Sequence, residues 1–268
     1  MKILFTGHRG FLGRELIPKL ANDFEIKKFE GDLRDFKELR TFIGANKIEK
    51  IIHAANRGGR RIRVDDFRVL EENLVASTNL LSFGLPMLAF CSGAIYGRQE
   101  SLFDSKEAEA GDRYPDDYYG QSKFLFRQMA IDKPKFQILR FFNVFGIKET
   151  PERFLKSNIR RYVDREAMQV FQDFYMDFFF VEDSLPLIHR WLRDVDIPKE
   201  INLVYQEKYR LSEICEKINQ LDSHSVNIEF ANREPGKNYC GNGSVLHSQG
   251  VDLKGLDFGI REIFRSIN

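Results

Sequence analysis

The chain has 268 residues, enough to bury a sizeable core as one large α/β domain or as one domain carrying a small lobe. Its 41 Lys+Arg against 40 Asp+Glu leave a net charge of +1, which gives no electrostatic reason to expect nucleic acid or a membrane surface as a partner. Cys91, Cys215 and Cys240 have no zinc or CxxC spacing, and an odd count argues against a disulfide framework, so a cytoplasmic location is expected.

Met1-Lys2 leads directly into the first predicted strand, so no signal peptide is expected, and no run of about 18 apolar residues reads as a membrane span. Predicted strands are Lys2–Thr6, Glu25–Phe29, Lys50–His53, Met87–Cys91 and Phe136–Phe141. Predicted helices are Phe11–Ala21, Phe36–Ile43, Phe67–Phe83 and Tyr119–Ala130. Strands alternating with helical patterns imply βαβ units and a parallel sheet, with the short apolar runs buried on both faces. After Gly146 the pattern becomes irregular. Arg153–Asp164, Pro186–Arg193 and Leu211–Leu221 read as helices, and the aromatic Val170–Val181 as strand-rich. The expected fold class is α/β: a Rossmann-type doubly wound parallel sheet with a small C-terminal α/β substrate-binding lobe. Residues 1–146 form the dinucleotide-binding part and 147–268 mainly the lobe, with some segments free to return to the sheet.

Thr6-Gly7-His8-Arg9-Gly10-Phe11-Leu12-Gly13 joins the first strand to the first helix. A dinucleotide pyrophosphate is held at such a place, with backbone N–H groups and the helix dipole facing the anion. Gly7 supplies the tight turn, Gly10 the close backbone approach, and Gly13 the close packing of helix on strand. Glycines also end strands and open helices for structural reasons. The position directly after the first strand favours the cofactor reading.

Tyr119 and Lys123 stand four residues apart on a predicted helix, hence on one face. An ammonium close to a phenol lowers the phenol pKa from about 10. Such a tyrosine can exchange a proton with an alcohol or sugar oxygen while a hydride moves to or from nicotinamide. The alternative is a packing tyrosine and a solvated lysine that share a face by chance. Their order after a Gly-rich turn and after Ser92, which ends a buried strand, favours catalysis.

These motifs resemble the extended short-chain dehydrogenase/reductase family, in its nucleotide-sugar epimerase/dehydratase/reductase branch. Thr6–Gly13 resembles the family's TGxxGxxG turn. Gly31-Asp32-Leu33-Arg34-Asp35 resembles GDLRD, whose first Asp contacts the adenine. His53-Ala54-Ala55 resembles the strand end lining the cofactor, and Asn73 with Ser77–Leu81 resembles "N…GTxNLL". Cys91–Gly97 resembles "SSxxVYG", and Leu139–Gly146 resembles "LRxxNVYG", whose Asn lies near the substrate phosphates. Asp177–Asp183 resembles "RDFxxVxD", and Arg233–Gly236 the late "RPGD" element, whose Arg contacts the nucleotide. The resemblance implies catalysis by Ser92, Tyr119 and Lys123. It implies NAD or NADP binding by Gly7, His8, Arg9, Gly10, Phe11, Leu12, Gly13, Glu30, Asp32, Leu33, His53, Ala54, Ala55 and Asn73, with Tyr119 and Lys123. Substrate contacts fall to Ser92, Gly93, Asn143, Arg153 and Arg233. It also implies a homodimer through the helices of Phe67–Phe83 and Tyr119–Ala130.

Departures from the family pattern narrow the chemistry. Ser92-Gly93-Ala94 replaces the Thr-Asp-Glu of the dehydratases, so 4,6-dehydration is not expected. Ala94 stands where GDP-fucose synthases carry a cysteine, which removes their double epimerisation. Met176 replaces the Arg of "RDF", leaving Arg153, Lys156, Arg160 and Arg161 as candidates for a diphosphate, or as a solvated helix face. Glu30 favours NAD, whereas His8, Arg9, Lys27 and Lys28 welcome the 2′-phosphate of NADP. The leading expectation is an NAD(P)-dependent 4-keto reductase acting on a nucleotide sugar. A 4-epimerase with tightly held NAD is the alternative, and a non-catalytic NAD(P)-binding sensor or scaffold a third. The histidines have no ligand spacing, and no metal site is expected.

Overall fold

In a computed structural model, residues 1–59 and 64–267 are described. The first half runs β1 (Lys2–Thr6), α1 (Phe11–Leu20), β2 (Glu25–Lys27), α2 (Phe36–Asn46), β3 (Lys50–His53), α3 (Phe67–Leu81), β4 (Met87–Ser92), β5 (Leu102–Ser105), α4 (Tyr118–Ala130) and β6 (Phe136–Phe141). The second half runs β7 (Val144–Phe145), α5 (Phe154–Val163), β8 (Met168–Val170), β9 (Phe179–Phe180), α6 (Leu185–Leu192), β10 (Glu200–Leu203), α7 (Leu211–Asn219), β11 (Ile228–Phe230), β12 (Tyr239–Gly241), α8 (Ser244–Ser248) and α9 (Leu256–Ile267).

Six parallel strands form the central sheet in the order β10-β6-β4-β3-β1-β2. Successive residues of a strand point to opposite faces, and here both faces are buried. Leu4, Ile51, Met87, Ala89 and Cys91 join the core shared with α2, α3 and α4. Ile3, Phe5, Ile52, Leu88 and Phe90 join the other core, with Leu16, Ile17 and Leu20 of α1 and Leu187, Ile188 and Trp191 of α6. The sheet is therefore doubly wound, as expected. The chain leaves β1 towards β2 on one side and returns to β3 on the other. This switch point puts the turn after β1 next to the end of β3, where open α/β sheets bind ligands.

Pro18 lies inside α1 and removes the N–H that would bond the Arg14 carbonyl. Lys148 Nζ donates to that carbonyl instead, at 2.9 Å, which ties the helix to the loop after β7. A second cross-link is Arg140 of β6, fully buried. It pairs with Glu200 of β10 and donates to Asn202 Oδ1 (2.9 Å) and Tyr96 Oη (3.1 Å). Arg127 of α4 pairs with the same Glu200, so sheet edge, helix and the turn after β4 are locked together.

Two later elements rejoin the sheet layer: β10 extends the edge beyond β6, and α6 packs against α1. The lobe packs α5, α7 and α9 through Leu155, Ile159, Tyr162, Ile214, Ile218, Ile260 and Ile263, beside the parallel pair β8–β11. The aromatic run 170–181 holds only the end of β8 and the two residues of β9. Phe179 and Phe180 pair with Val144 and Phe145 of β7, and with Phe178 they are buried in the core.

Candidate active site

The turn after β1 is built by close approach. Gly7 has φ +74°, and a Cβ there would sit 2.7 Å from the Ala55 nitrogen. A Cβ on Gly13 would sit 2.5 Å from His8 Cα. Gly10 caps α1 with no side-chain hydrogen bond, so the first-turn amides keep their capacity for an anion. This cradle fits a dinucleotide pyrophosphate.

Beneath it, Thr6 Oγ1 accepts from the N–H groups of Ala54 and Ala55, each at 3.2 Å, and lies 2.8 Å from His53 Nδ1. The other ring nitrogen of His53 is 3.2 Å from Ser77 Oγ. His53 is buried, and desolvation pushes its pKa down to about 3, so the ring is neutral. The sequence places His53 along the cofactor cleft. The structure puts it under the floor, with both nitrogens used by the protein.

At the far side of the cradle, Glu30 lies 3.1 Å from His8 Nε2 and pairs with Arg9. The residues read as favouring opposite cofactors are thus held to one another. Asp32 receives Arg34 through its backbone N–H (2.9 Å) and its guanidinium (2.6 Å), which holds its carboxyl below the usual range. The Leu33 carbonyl accepts from Asn79 Nδ2 at 3.0 Å. Asn73 exchanges two bonds with the backbone of Arg57 (2.9 and 3.0 Å) and donates to Ser122 Oγ (3.2 Å), which fastens the loop after β3 to α3 and α4.

Ser92 ends β4, and its Oγ accepts from the Ala94 N–H at 3.2 Å. Its hydroxyl also hydrogen-bonds the Tyr119 side chain, in the sense that favours the phenolate. Asp117 caps α4 by accepting from the Gly120 N–H at 2.8 Å, which starts the helix that presents Tyr119 and Lys123. The Tyr119 ring is half-buried against the loop after β3: a Cβ on Gly59 would sit 2.8 Å from Tyr119 Cζ. Desolvation, then the neighbouring Cys91, push the phenol pKa up, while hydrogen bonding to Ser92 and the charge of Arg98 oppose the rise. Lys123 is buried, with Nζ 3.4 Å from the Phe90 carbonyl and 5.7 Å from the Tyr119 ring centroid. Burial pulls its pKa down.

Burial of both groups opposes the acidification of Tyr119 by Lys123 that the sequence predicts: it raises the phenol and lowers the ammonium. Sequence reasoning missed Arg98. Its guanidinium also lies 5.7 Å from the Tyr119 ring centroid and is clamped by Asp117 through bonds of 2.6 and 3.2 Å. The available signal was an arginine directly after the Tyr96-Gly97 turn, with an aspartate two residues before Tyr119.

On the lobe side, Asn143 Oδ1 accepts from Arg153 Nη2 at 2.5 Å, and its Nδ2 faces Met176 Sδ at 3.7 Å. The Arg153 guanidinium lies 5.7 Å from the Phe11 ring of the Gly-rich turn. Gly93 is buried against Phe142, with a Cβ position 2.7 Å from that ring. Of the other basic candidates, Lys156 bonds the carbonyls of Ile147 and Glu149, Arg161 pairs with Glu166 at 3.1 Å, and Arg160 is exposed. Arg233 is exposed on the loop after β11. Among the described residues no group of three or more His, Cys, Asp or Glu is arranged to hold a metal ion, and no helix is long and apolar enough to cross a membrane.

The model of the NAD dependent epimerase/dehydratase family matches residues 3–203. A GDP-6-deoxy-D-talose 4-dehydrogenase of Aggregatibacter actinomycetemcomitans is 23% identical over 246 residues, 85% of this chain and 83% of that one. A GDP-mannoheptose C4 reductase from Campylobacter jejuni with NADP bound superposes with a TM-score of 0.84 at 19% identity, covering 99% of this chain and 97% of that one. The UDP-glucose 4-epimerase of Thermus thermophilus in complex with NAD superposes with a TM-score of 0.82 at 19% identity, covering 100% of this chain and 99% of that one.

Proposed function

The chain belongs to the NAD-dependent epimerase/dehydratase family, and from that premise we propose that it reduces the 4-keto group of a nucleotide-activated sugar with NADH or NADPH. The observation that carries this reading is the placing of Tyr119 with Lys123 Nζ and the Arg98 guanidinium each 5.7 Å from its ring centroid, next to an uncapped glycine cradle. The resemblance to a C4 reductase that binds NADP supports it.

On this reading residues 1–146 hold the dinucleotide and the catalytic trio. Residues 147–268 mainly hold the sugar nucleotide, with β10 and α6 returned to the sheet. Gly7 to Gly13 hold the pyrophosphate, Asp32 and Leu33 the adenine side, and Glu30 with Arg9 and His8 the ribose. The dinucleotide, when bound, supplies the hydride. Tyr119 Oη donates its proton to the carbonyl oxygen, and Ser92 Oγ donates a hydrogen bond to the same oxygen. Lys123 and Arg98 are the cations that favour the phenolate left behind. Positioning and preorganised charge supply most of the rate. Asn143 and Arg153 face the diphosphate. Exposed Phe67, Val75, Tyr118 and Met129 on α3 and α4 support a homodimer through those helices.

The test is a panel of 4-keto nucleotide sugars with NADPH and with NADH. Stoichiometric cofactor oxidation is expected, and Tyr119→Phe should lower turnover by about 10²–10⁴-fold while cofactor affinity stays. A second reading, a 4-epimerase, draws on the likeness to the NAD-bound UDP-glucose 4-epimerase. Inversion at C4 with retained NAD and no net cofactor consumption would establish it in place of the reductase.

A further inference from the structure

Two carboxylates are buried together outside the catalytic trio. Glu15 of α1 is 5% exposed, and Glu149, in the loop between β7 and α5, is 3% exposed. Glu15 is occupied by the Lys148 N–H. Glu149 spends one oxygen on Arg153, with Oε2 3.3 Å from Nε. Its other oxygen, Oε1, is buried without a hydrogen-bond partner among the described residues. A buried carboxylate left half-satisfied is costly as an anion and cheap as an acid. Arg153 is also the residue that donates to Asn143 and lies over Phe11. One guanidinium thus links Glu149 to the lobe side of the site and to the Gly-rich turn.

The charged groups facing Glu149 come from two elements. Arg153 and Lys156 lie at the start of α5, and Glu15 lies on α1. Behind Glu15 stand Lys148 and Glu182. Burial outweighs the two cations and pushes Glu149 up to about 7.

We propose that Glu149 is a positioning residue that governs the hold of Arg153 on a substrate diphosphate, and that it takes up a proton from solvent when the diphosphate binds. The inference rests on the reading of Arg153 as a diphosphate contact. A carboxylate and a diphosphate compete for one guanidinium. Bringing the anion to Arg153 disfavours the charged form of Glu149, so binding and protonation are linked. The balance is simple: the carboxylate gains one proton from water, and the diphosphate replaces it as the partner of Arg153.

The experiment is calorimetric titration of the whole protein with UDP-glucose and GDP-mannose, diphosphate diesters whose own charge is constant over the range used. It is run at about pH 6 and about pH 8, in buffers of different ionisation heat. The dissociation constant for whichever probe binds should rise about three- to tenfold between the two values, with net proton uptake near neutrality. Glu149→Gln should remove both effects and bind at the higher pH as tightly as wild type does at the lower. A pH-independent wild type without proton uptake overturns the proposal, even if the Gln variant fails to fold. So does an unchanged pH dependence in Glu149→Gln. Arg153→Met separates the premise. If it binds as wild type does, the diphosphate reading of Arg153 is wrong. If it loses affinity while Glu149→Gln behaves as wild type, only the role of Glu149 is.

Discussion

Replacing Glu149 with glutamine should stabilise the folded protein above neutral pH, whatever the substrate is. Desolvation of this side chain outweighs the attraction of Arg153 and Lys156 and raises its pKa from 4.5 to about 7. An acid whose pKa is higher folded than unfolded binds more protons in the fold. Its contribution is therefore fully present below the unfolded value and is lost as pH rises through the folded one. At about 1.4 kcal/mol per pH unit, the gap between 4.5 and about 7 corresponds to about 3 kcal/mol lost by pH 8. Glutamine keeps the size and a hydrogen-bonding head for Arg153 but carries no charge to desolvate. Urea unfolding of both proteins at about pH 5 and about pH 8 isolates the effect from Glu107 and Asp177, which titrate alike in each; Glu15, which faces Glu149, is relieved of the same charge and moves the difference in the same direction. The stability difference should move in favour of Glu149→Gln by about 2–3 kcal/mol between the two conditions. A difference that stays constant, or that moves towards wild type, would show that the Arg153 pair outweighs desolvation and refute the reasoning.

Gly7→Ala places a methyl 2.7 Å from the Ala55 nitrogen at φ +74° and should cost about 1–3 kcal/mol, together with most cofactor binding. Thermal melts and NADPH fluorescence check both, and an unchanged melt would mean that the two strand ends yield. Glu30→Gln releases Arg9 and His8 and removes a charge that repels a 2′-phosphate. The preference for NADPH over NADH should rise about five- to tenfold in fluorescence titrations, and a fall in that ratio would contradict the pairing. Arg98→Gln should slow turnover of the accepted keto sugar about ten- to a hundredfold with cofactor affinity kept, since a cation near the phenol shifts its pKa by about 1–3 units. Asp117→Asn keeps the helix cap and loosens only the clamp, so it should fall between wild type and Arg98→Gln. Equal loss in cofactor binding would make Arg98 a structural residue.

The first half is legible because two signals coincide there. Ile3-Leu4-Phe5 and Met87-Leu88-Ala89-Phe90 are apolar at every position, which only a strand buried on both faces needs, and the helices between them repeat their apolar residues at helical spacing. β1, β3 and β6 fall on their predicted residues for that reason. β10 escapes such a reading because its buried Ile201 and Leu203 alternate with Glu200 and Asn202, which are anchored to Arg140, and no continuous apolar run marks it. α9 is absent from the predicted elements, although Leu256, Ile260 and Ile263 lie on one buried face. Within the site, Tyr119 and Lys123 are legible from spacing and Ser92 from the family resemblance, but the surroundings of the phenol are not. They include Gly59 and Arg98, which reach the ring from separate loops and share no sequence period with it.

The titratable groups around Tyr119 share one bias. Burial raises the phenol, lowers Lys123 and holds His53 neutral. The charges that persist are guanidinium–carboxylate pairs, Arg98 with Asp117 and Arg140 with Glu200. Arginine resists the loss of its proton on burial more than lysine or histidine does, so such pairs hold the least perturbed charges of the site. The Arg98 charge lies beside the phenol before any ligand arrives, and Asp117 sets both its position and the start of the catalytic helix. Burial that raises the phenol of Tyr119 also raises the half-satisfied Glu149 on the lobe side. The two sides thus differ in how their cations are held: Arg98 is clamped beside the phenol by Asp117, and Arg153 is paired with a half-satisfied Glu149.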